Sequence, residues 1–302
     1  MSAETVVYAV VLANPKYLVG SSTLHSGLFR SMDQGVTWEH LGPRNLKAYA
    51  MDAVDSSRGR ILYLAAGNGV HRSTDGGATW RIITDWRITE VMDVKVDQQD
   101  PRRVYAATAF GFWRSMDGGE TWENPDGMLK NRYMYRIDKI EQSGELSASS
   151  EDGVVLSYDN GNSWSYQLET KSPRGLYTID AYGKLLAGDQ GPIWYPGTEY
   201  TSSITRPAVV YPRMSTYAAT YRNDTIFAAG NNGIWMYAIS SRSSAWRDFT
   251  HGIPRMVHAI AVTSSTIIAG TFGNGLYRWQ NNGWVAAGLE GAQVWSITAK
   301  EW

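Results

Sequence analysis

An all-β fold made of one repeated unit is predicted by three features of the sequence. An eight-residue box, Ser-x-Asp-x-Gly-x-x-Trp, occurs four times at a step of 42 residues. A glycine that precedes each box continues this period, and short runs rich in Val, Tyr, Phe, Trp and Thr lie between turn residues. Short strands repeated at such a period are typical of a β-propeller. We therefore predict a seven-bladed β-propeller of four-stranded antiparallel blades.

The glycine that opens each box strand defines the repeats. It occurs at Gly27, Gly69, Gly111, Gly153, Gly191, Gly233 and Gly275. The four intact boxes belong to the first four repeats, and the box has decayed in the last three. Trp246 and Trp284 still keep the position of the box tryptophan in repeats six and seven. Because these repeats account for the whole chain, a single propeller domain over residues 1–302 is predicted.

Composition narrows the functional classes. The chain has 302 residues, a net charge of -1 and no cysteine, which argues against general nucleic-acid or membrane-surface binding and excludes disulfides. No apolar run is long enough to span a bilayer. No secretory leader pattern follows Met1, so a cytoplasmic protein is expected, with secretion left open if a leader had been removed. The five histidines lack metal-ligand spacing, and we expect no metal, no cofactor and a monomer rather than an oligomer.

The box is similar to the motif of a known repeat family. The segment Ser115-Met-Asp-Gly-Gly-Glu-Thr-Trp122 resembles the Asp-box (BNR) repeat, which is found in sialidases, xyloglucan-hydrolysing enzymes, sortilin-type receptors and photosystem II assembly factors. The resemblance implies a propeller and does not imply a reaction. In that family the box turns lie on the face away from the ligand.

The box residues are interpreted as structural. A carboxylate in a turn can accept backbone N–H groups that the turn leaves unpaired, the glycine supplies a positive φ, and the tryptophan buries a large apolar surface between blades. The box aspartates are Asp33, Asp75, Asp117 and Asp159, and the box tryptophans are Trp38, Trp80, Trp122 and Trp164.

A second recurrence lies in the connections between blades. An arginine precedes six of the inner strands, at Arg44, Arg87, Arg132, Arg174, Arg213 and Arg255. An aromatic residue or histidine follows at Tyr49, Tyr135, Tyr177, Tyr217 and His258, and Trp295 follows Gln293 in the seventh connection. Guanidinium groups around the channel mouth would bind an anionic ligand or an acidic partner surface. The alternative is ordinary loop chemistry, inherited by duplication and satisfied by neighbouring carboxylates.

Three functions are therefore open. The first is a non-catalytic binding or assembly scaffold that recognises an acidic protein partner or an anionic ligand. The second is a carbohydrate-binding, lectin-like module that takes a glycan ligand. The third is a glycoside hydrolase, for which Asp138 and Asp180 are weak catalytic candidates. The Phe-Arg-Ile-Pro element of sialidases is missing, and the chain is too short for the two propellers of the xyloglucanase type.

The chain end poses a topological question. Residues 294–299 form an eighth sequence of inner-strand type, and residues 7–12 at the start of the chain resemble the inner strand at 257–262. An unpaired strand would leave an open sheet edge. We predict that the C-terminal strand pairs beside the N-terminal strand.

Overall fold

The computed structural model describes residues 4–13, 26–56, 59–125, 127–140, 145–169, 175–179, 183–189, 191–196, 209–210, 214–239 and 245–302. These residues form short β-strands joined by turns, with a 3-10 turn at Gly127–Leu129. In this part of the chain, no helix has the length and apolar character that crossing a membrane requires.

The strands follow the repeat period. In chain order they are β1 (Thr5–Ala13), β2 (Gly27–Ser31), β3 (Glu39–Leu41), β4 (Ala48–Ser56), β5 (Gly59–Ala66), β6 (Gly69–Ser73), β7 (Arg81–Ile82), β8 (Val91–Val96), β9 (Val104–Thr108), β10 (Gly111–Ser115), β11 (Met134–Ile140), β12 (Glu145–Ser150), β13 (Gly153–Ser157), β14 (Ser165–Glu169), β15 (Gly175–Ile179), β16 (Gly183–Ala187), β17 (Ile193–Pro196), β18 (Val209–Val210), β19 (Thr216–Arg222), β20 (Thr225–Gly230), β21 (Gly233–Ala238), β22 (Arg247–Asp248), β23 (Val257–Val262), β24 (Ile267–Thr271), β25 (Leu276–Gln280), β26 (Gly283–Ala286) and β27 (Gln293–Glu301). In repeats one, two and four the box lies between the third and fourth strands, and in repeat three it follows the third strand.

The fold is an all-β propeller, but the predicted count of seven four-stranded blades is wrong. The described residues form six blades of four antiparallel strands, in the orders β27-β1-β2-β3, β4 to β7, β11 to β14, β15 to β18, β19 to β22 and β23 to β26. The sheet of repeat three has three strands, β8 to β10. Its outer segment makes a single bridge, Arg114 to Glu123. Pro125 follows two residues later and has no N–H to donate, which explains why the ladder stops there.

The chain divides into two compact units. Unit 1 comprises Met1–Ala48, Asp189–Ile193 and Val209–Trp302, and unit 2 comprises Tyr49–Gly188 and Trp194–Ala208. Each unit has buried apolar clusters of its own. In unit 1 one cluster includes Val7, Ile268 and Val294, and in unit 2 another includes Phe112, Leu146 and Trp164. The clusters join neighbouring sheets, as expected for repeats that bury their apolar faces by stacking.

The C-terminal strand pairs with the N-terminal strand, as predicted. Strand β27 runs antiparallel to β1, from Thr5 opposite Glu301 to Ala13 opposite Gln293. Since β27 takes the innermost place, β1 is the second strand of this blade, and the interpretation of residues 7–12 as an inner strand is wrong. Tyr8 of β1 is fully buried, like Tyr63 of β5 and Tyr105 of β9, which also lie in second strands.

A bulge marks the start of several inner strands. The register shifts between Met134 and Arg136, between Thr216 and Ala218, and between Val257 and Ala259. The residue skipped in each case is Tyr135, Tyr217 or His258. A β-bulge changes the direction of a side chain relative to the ladder. The aromatic or histidine residues singled out from the sequence therefore occupy a distinct backbone position.

Candidate functional site

The box turns form one hydrogen-bonded structure in all four intact copies. In repeat two the Ser73 hydroxyl donates to Asp75 Oδ1 at 2.7 Å and accepts the Gly77 N–H at 2.8 Å. The carboxylate of Asp75 accepts the Thr79 N–H at 2.9 Å and the Thr79 hydroxyl at 2.6 Å. The same contacts recur around Asp33, Asp117 and Asp159. The box carboxylates are thus occupied by their own turns.

These contacts act on the acidity of the box aspartates. The hydroxyl and N–H of Thr79 lower the pKa of Asp75 to about 2, and Ser163 does the same for Asp159. For Asp33 and Asp117 burial acts in the opposite direction, yet the hydrogen bonds outweigh it and the pKa is again about 2. Each box carboxylate thus stays ionised, and the hydrogen bonds that it accepts stabilise its own turn.

The Asp117→Asn variant should lose the part of the free energy of unfolding that depends on ionised Asp117. The pKa of Asp117 falls from 3.8 to about 2 on folding, so its contribution is present above about pH 4 and is lost as pH falls towards 2. We expect the variant to have a lower free energy of unfolding at neutral pH and a shallower pH dependence between pH 4 and 2, measured by urea denaturation. Thr121→Ser should behave like the wild type, because Ser163 makes the equivalent bond at 2.6 Å in repeat four. Equal pH dependence in the wild type and Asp117→Asn would contradict the prediction.

The box tryptophans connect sheets. Trp122 Nε1 donates to Ile83 O of the preceding repeat at 2.9 Å, and Trp38 Nε1 donates to Ala287 O at 2.8 Å. Trp284, from a decayed box, keeps this contact with Phe249 O at 3.0 Å. Trp80 Nε1 instead donates to Gly77 O within its own turn. Repeat seven therefore keeps the packing position of the tryptophan without the serine and aspartate.

The predicted arginines hold separate local partners. Arg87 Nη2 donates to Asp85 Oδ2 at 2.6 Å, and Arg132 Nη1 lies 3.2 Å from Asp152 Oδ2. In unit 1, Arg255 Nη1 donates to Asn232 Oδ1 at 2.5 Å. The fourth described member, Arg44, is exposed. Arg174, Arg213 and Asp180 lie outside the described residues, and for Tyr177 the description covers only the backbone of β15.

Two of the predicted arginines, Arg87 and Arg132, have exposed aromatic residues close to them in the chain or through a backbone hydrogen bond. Trp86 is 85% exposed and Phe110 is 52% exposed. The Arg87 guanidinium lies 5.9 Å from the ring centroid of Trp113, and the Asn131 N–H donates to Phe110 O at 3.0 Å, next to Arg132. We call Trp86, Arg87, Phe110 and Arg132 the arginine–aromatic surface. It combines charged donors with large apolar groups that water surrounds.

Three of the predicted aromatic positions meet in unit 1. The His258 ring stacks on Tyr217 at a centroid distance of 4.2 Å and lies 4.9 Å from Trp295. Phe272, which was not in the predicted set of binding residues, lies 4.9 Å from His258. All four side chains are half-buried. In unit 2, Tyr135 contacts the ring of Tyr133 at 4.9 Å, and the hydroxyl of the buried Tyr49 donates to Glu90 Oε2 at 3.1 Å.

The inner strands of unit 2 carry a mixed charge cluster. Arg136 Nε lies 3.6 Å from Asp138 Oδ1. Asp52 accepts the N–H of Val96 at 3.0 Å, and Asp93 accepts the N–H of Ile137 at 3.0 Å. Both of these aspartates are buried, and each bond joins one repeat to the next. Carboxylates placed between strands in this way serve as cross-repeat links.

Burial and charge shift the acidity within this cluster. Burial raises the pKa of Asp138 against the opposing effects of Arg136 and Lys95. It also acts to lower the pKa of Lys95, but Asp93 and the other nearby carboxylates outweigh it, so that pKa is raised. Lys95 and Arg136 were not predicted as site residues. Their signal is the alternation of charges in Asp93-Val-Lys95 and Arg136-Ile-Asp138.

Asp138 alone does not make a hydrolase. A raised pKa suits a general acid, but glycoside hydrolysis needs a second carboxyl group at a defined distance. The second candidate, Asp180, lies outside the described residues. Among the described residues, no group of three or more His, Asp or Glu side chains is arranged to hold a metal ion.

Neither a family model nor a curated protein matches the sequence. Solved structures do resemble the fold. A GH74 xyloglucanase from Xanthomonas campestris is 16% identical, with a TM-score of 0.67, over 97% of this chain and 52% of that one. YCF48 bound to D1 peptide is 15% identical, with a TM-score of 0.59, over 82% of this chain and 84% of that one.

A third similar structure is PorZ, a bacterial surface component of the type-IX secretion system of Porphyromonas gingivalis. It is 15% identical, with a TM-score of 0.60, over 86% of this chain and 45% of that one. The chain thus spans about half the length of the xyloglucanase and of PorZ. These neighbours include an enzyme, a peptide-bound protein and a secretion component, so the likeness carries no single function. What they share with this chain is the β-propeller fold.

Proposed function

We propose that this protein is a non-catalytic binding module of Asp-box repeats, which holds an acidic segment of a partner protein on its arginine–aromatic surface. The observation that carries the proposal is the exposure of Trp86, at 85%, beside Arg87. Tryptophan and arginine dominate the energetics of protein interfaces. The Asp-box assignment is supported by the common hydrogen-bonding of the four turns.

The arginines of this surface supply the specificity for acidic groups. The Arg87 side chain is 54% exposed and that of Arg132 is 47% exposed, and each already binds a carboxylate. Exposed ion pairs contribute little to stability, so their carboxylates can be exchanged for those of a partner at small cost. Aromatic rings at the same surface would bury apolar area and exclude water from these contacts.

The proposal is tested with a Glu-Tyr random copolymer as the probe and a Gln-Tyr copolymer as the neutral comparison. We expect binding of the acidic copolymer, measured by biolayer interferometry, to weaken steeply between 50 and 500 mM NaCl. Trp86→Ala and Arg87→Gln should each weaken it about tenfold, which corresponds to about 1.4 kcal/mol.

The matched control is Arg102→Gln. Arg102 pairs with Asp100 two residues earlier, at 2.9 Å, in the same arrangement as Arg87 with Asp85. It follows β8 in the chain, whereas Arg87 precedes that strand, so it lies at the opposite end of the sheet. Equal loss of binding in both variants would contradict the proposal, as would full binding by a folded Trp86→Ala, Arg87→Gln double variant.

The second candidate function is glycan binding in unit 1. It is favoured by the half-buried ring group of Tyr217, His258, Phe272 and Trp295, because sugar faces stack on aromatic rings. Saturable binding of cellotetraose that tolerates salt and is lost in Trp295→Ala would favour this function over the first.

A further inference from the structure

The repeats offer an internal comparison at the strand that follows each box. In repeat one Arg30 lies opposite Glu39, and its Nε donates to Glu39 Oε1 at 2.7 Å. In repeat three Arg114 lies opposite Glu123, with the same bond at 2.8 Å. In both repeats a glutamate on the outer segment thus neutralises the arginine that precedes the box.

Repeat two breaks this pattern. Arg72 lies opposite Arg81, so two like charges face each other across the strand pair, which is unfavourable. Both guanidinium groups share one carboxylate, that of Glu120 from the box turn of repeat three. Arg72 Nη2 donates to it at 2.7 Å, and Arg81 Nη2 also contacts it. Two positive groups and one negative group leave this cluster with a net charge of +1.

The replacement of the glutamate also leaves a donor unused. Arg72 Nη1 donates to Gly118 O and Nη2 donates to Glu120, but its buried Nε has no hydrogen-bond partner among the described residues. In repeats one and three this N–H is the one that the glutamate accepts. A buried charged donor without an acceptor is costly, and structures retain few of them.

Space for a ligand adjoins the two exposed members of the cluster, Arg81 and Glu120. A cleft of about 480 Å³ is lined by Arg81, Glu120, Ile83 and Trp122, and it extends to the paired residues Asp85 and Arg87. The side chains of Arg81 and Glu120 are both 55% exposed. The hydrogen bond from Arg72, with Arg81 adding to the effect, lowers the pKa of Glu120. Glu120 therefore stays ionised at neutral pH, and the excess positive charge is one.

We infer that the outer edge of repeat two binds an external carboxylate, which lies between Arg72 and Arg81 and takes the place that Glu39 and Glu123 occupy in repeats one and three. The ligand accepts the Arg72 Nε–H. Arg81, which is exposed and held through its contact with Glu120, changes its side-chain conformation and pairs with the same ligand. A carboxylate is the expected class because the sister repeats fill the same position with one. The cleft reaches Arg87 of the arginine–aromatic surface, but the inference rests on Arg72, Arg81 and Glu120 and not on the binding proposed for that surface.

The inference is tested by following the Arg72 Nε–H signal in ¹H–¹⁵N spectra of the full chain. This signal is assigned by its disappearance in the Arg72→Lys variant. We expect a saturable downfield shift with sodium acetate and none with sodium chloride at equal ionic strength. Arg81→Glu restores the internal pair, so its Arg72 signal should already be shifted and should not respond to acetate. Conversely, Glu39→Arg removes the internal carboxylate from repeat one and places an arginine opposite Arg30, and its Arg30 signal should gain a response.

The other possible results identify the source of the carboxylate or overturn the inference. Saturation by acetate identifies a free small acid as sufficient, whereas saturation by poly-glutamate alone identifies a partner polypeptide as the source, and both support the site. A wild-type signal that is visible but unresponsive to both probes overturns the inference. So does an equal response in Arg81→Glu. Tighter saturation by inorganic phosphate than by either carboxylate overturns the ligand class. Arg81→Gln serves as the second variant if Arg81→Glu fails to fold.

Discussion

Replacing Trp164 by alanine should lower the free energy of unfolding by about 3–5 kcal/mol. Trp164 is 7% exposed and its ring contacts Phe112 edge-on at 4.8 Å, within a cluster that joins two neighbouring sheets of unit 2. Truncation removes both the buried apolar surface and the contact between repeats. Urea denaturation followed by tryptophan fluorescence and circular dichroism measures the change.

The control for this result is Trp86→Ala, which removes the same side chain from a position that is 85% exposed. It should change the free energy of unfolding by no more than about 0.5 kcal/mol. Similar losses in the two variants would contradict the assignment of the box tryptophan as a core residue.

The Gly161→Ala variant should be destabilised by about 2–4 kcal/mol. Gly161 has a φ of +79°, which costs an L-residue about 1–2 kcal/mol. An added Cβ would also lie 2.5 Å from Phe112 Cζ, and overpacking of a core contact costs about 1–3 kcal/mol. Thermal and urea denaturation provide the measurement.

Two other glycines separate these contributions. Gly76 has a φ of +68° but open space around its Cβ position, so Gly76→Ala should show only the conformational part, about 1–2 kcal/mol. Gly127 has neither a positive φ nor a close neighbour, and Gly127→Ala should be neutral or slightly stabilising. If Gly161→Ala and Gly76→Ala lose the same amount, the contact with Phe112 contributes nothing.

Local chemistry explains which parts of the fold were predictable. The box turns depend on residues within one octapeptide, and their period alone indicates strands arranged in repeats. The prediction of a fourth strand in repeat three was wrong because one residue, Pro125, ends the outer ladder, and a single residue does not disturb the repeat pattern from which the strands were predicted. The placement of β1 failed although Val7-Tyr-Ala matches Val104-Tyr-Ala of the second strand β9. That likeness would have given the correct position.

The candidate sites were predictable to a smaller extent. Arginine recurrence indicated the loops, but it could not show that Arg87 and Arg132 hold separate carboxylates, because local pairing depends on side-chain geometry. The grouping of Tyr217, His258 and Trp295 follows from equal positions in neighbouring repeats. Lys95 was missed because a single lysine in a strand of six residues has the same sequence signal whether it faces solvent or other charges.

The pairing of β27 with β1 has a consequence for the order of folding. Most strand pairs are hairpins that close short loops, whereas Thr5 meets Glu301 from nearly the opposite end of the sequence. Closing so long a loop costs more entropy and slows the search for the contact. This pairing should therefore form late, after the local hairpins have brought its two strands together. Its native hydrogen bonds would then be nearly absent from the transition state, and mutations there would mainly speed unfolding.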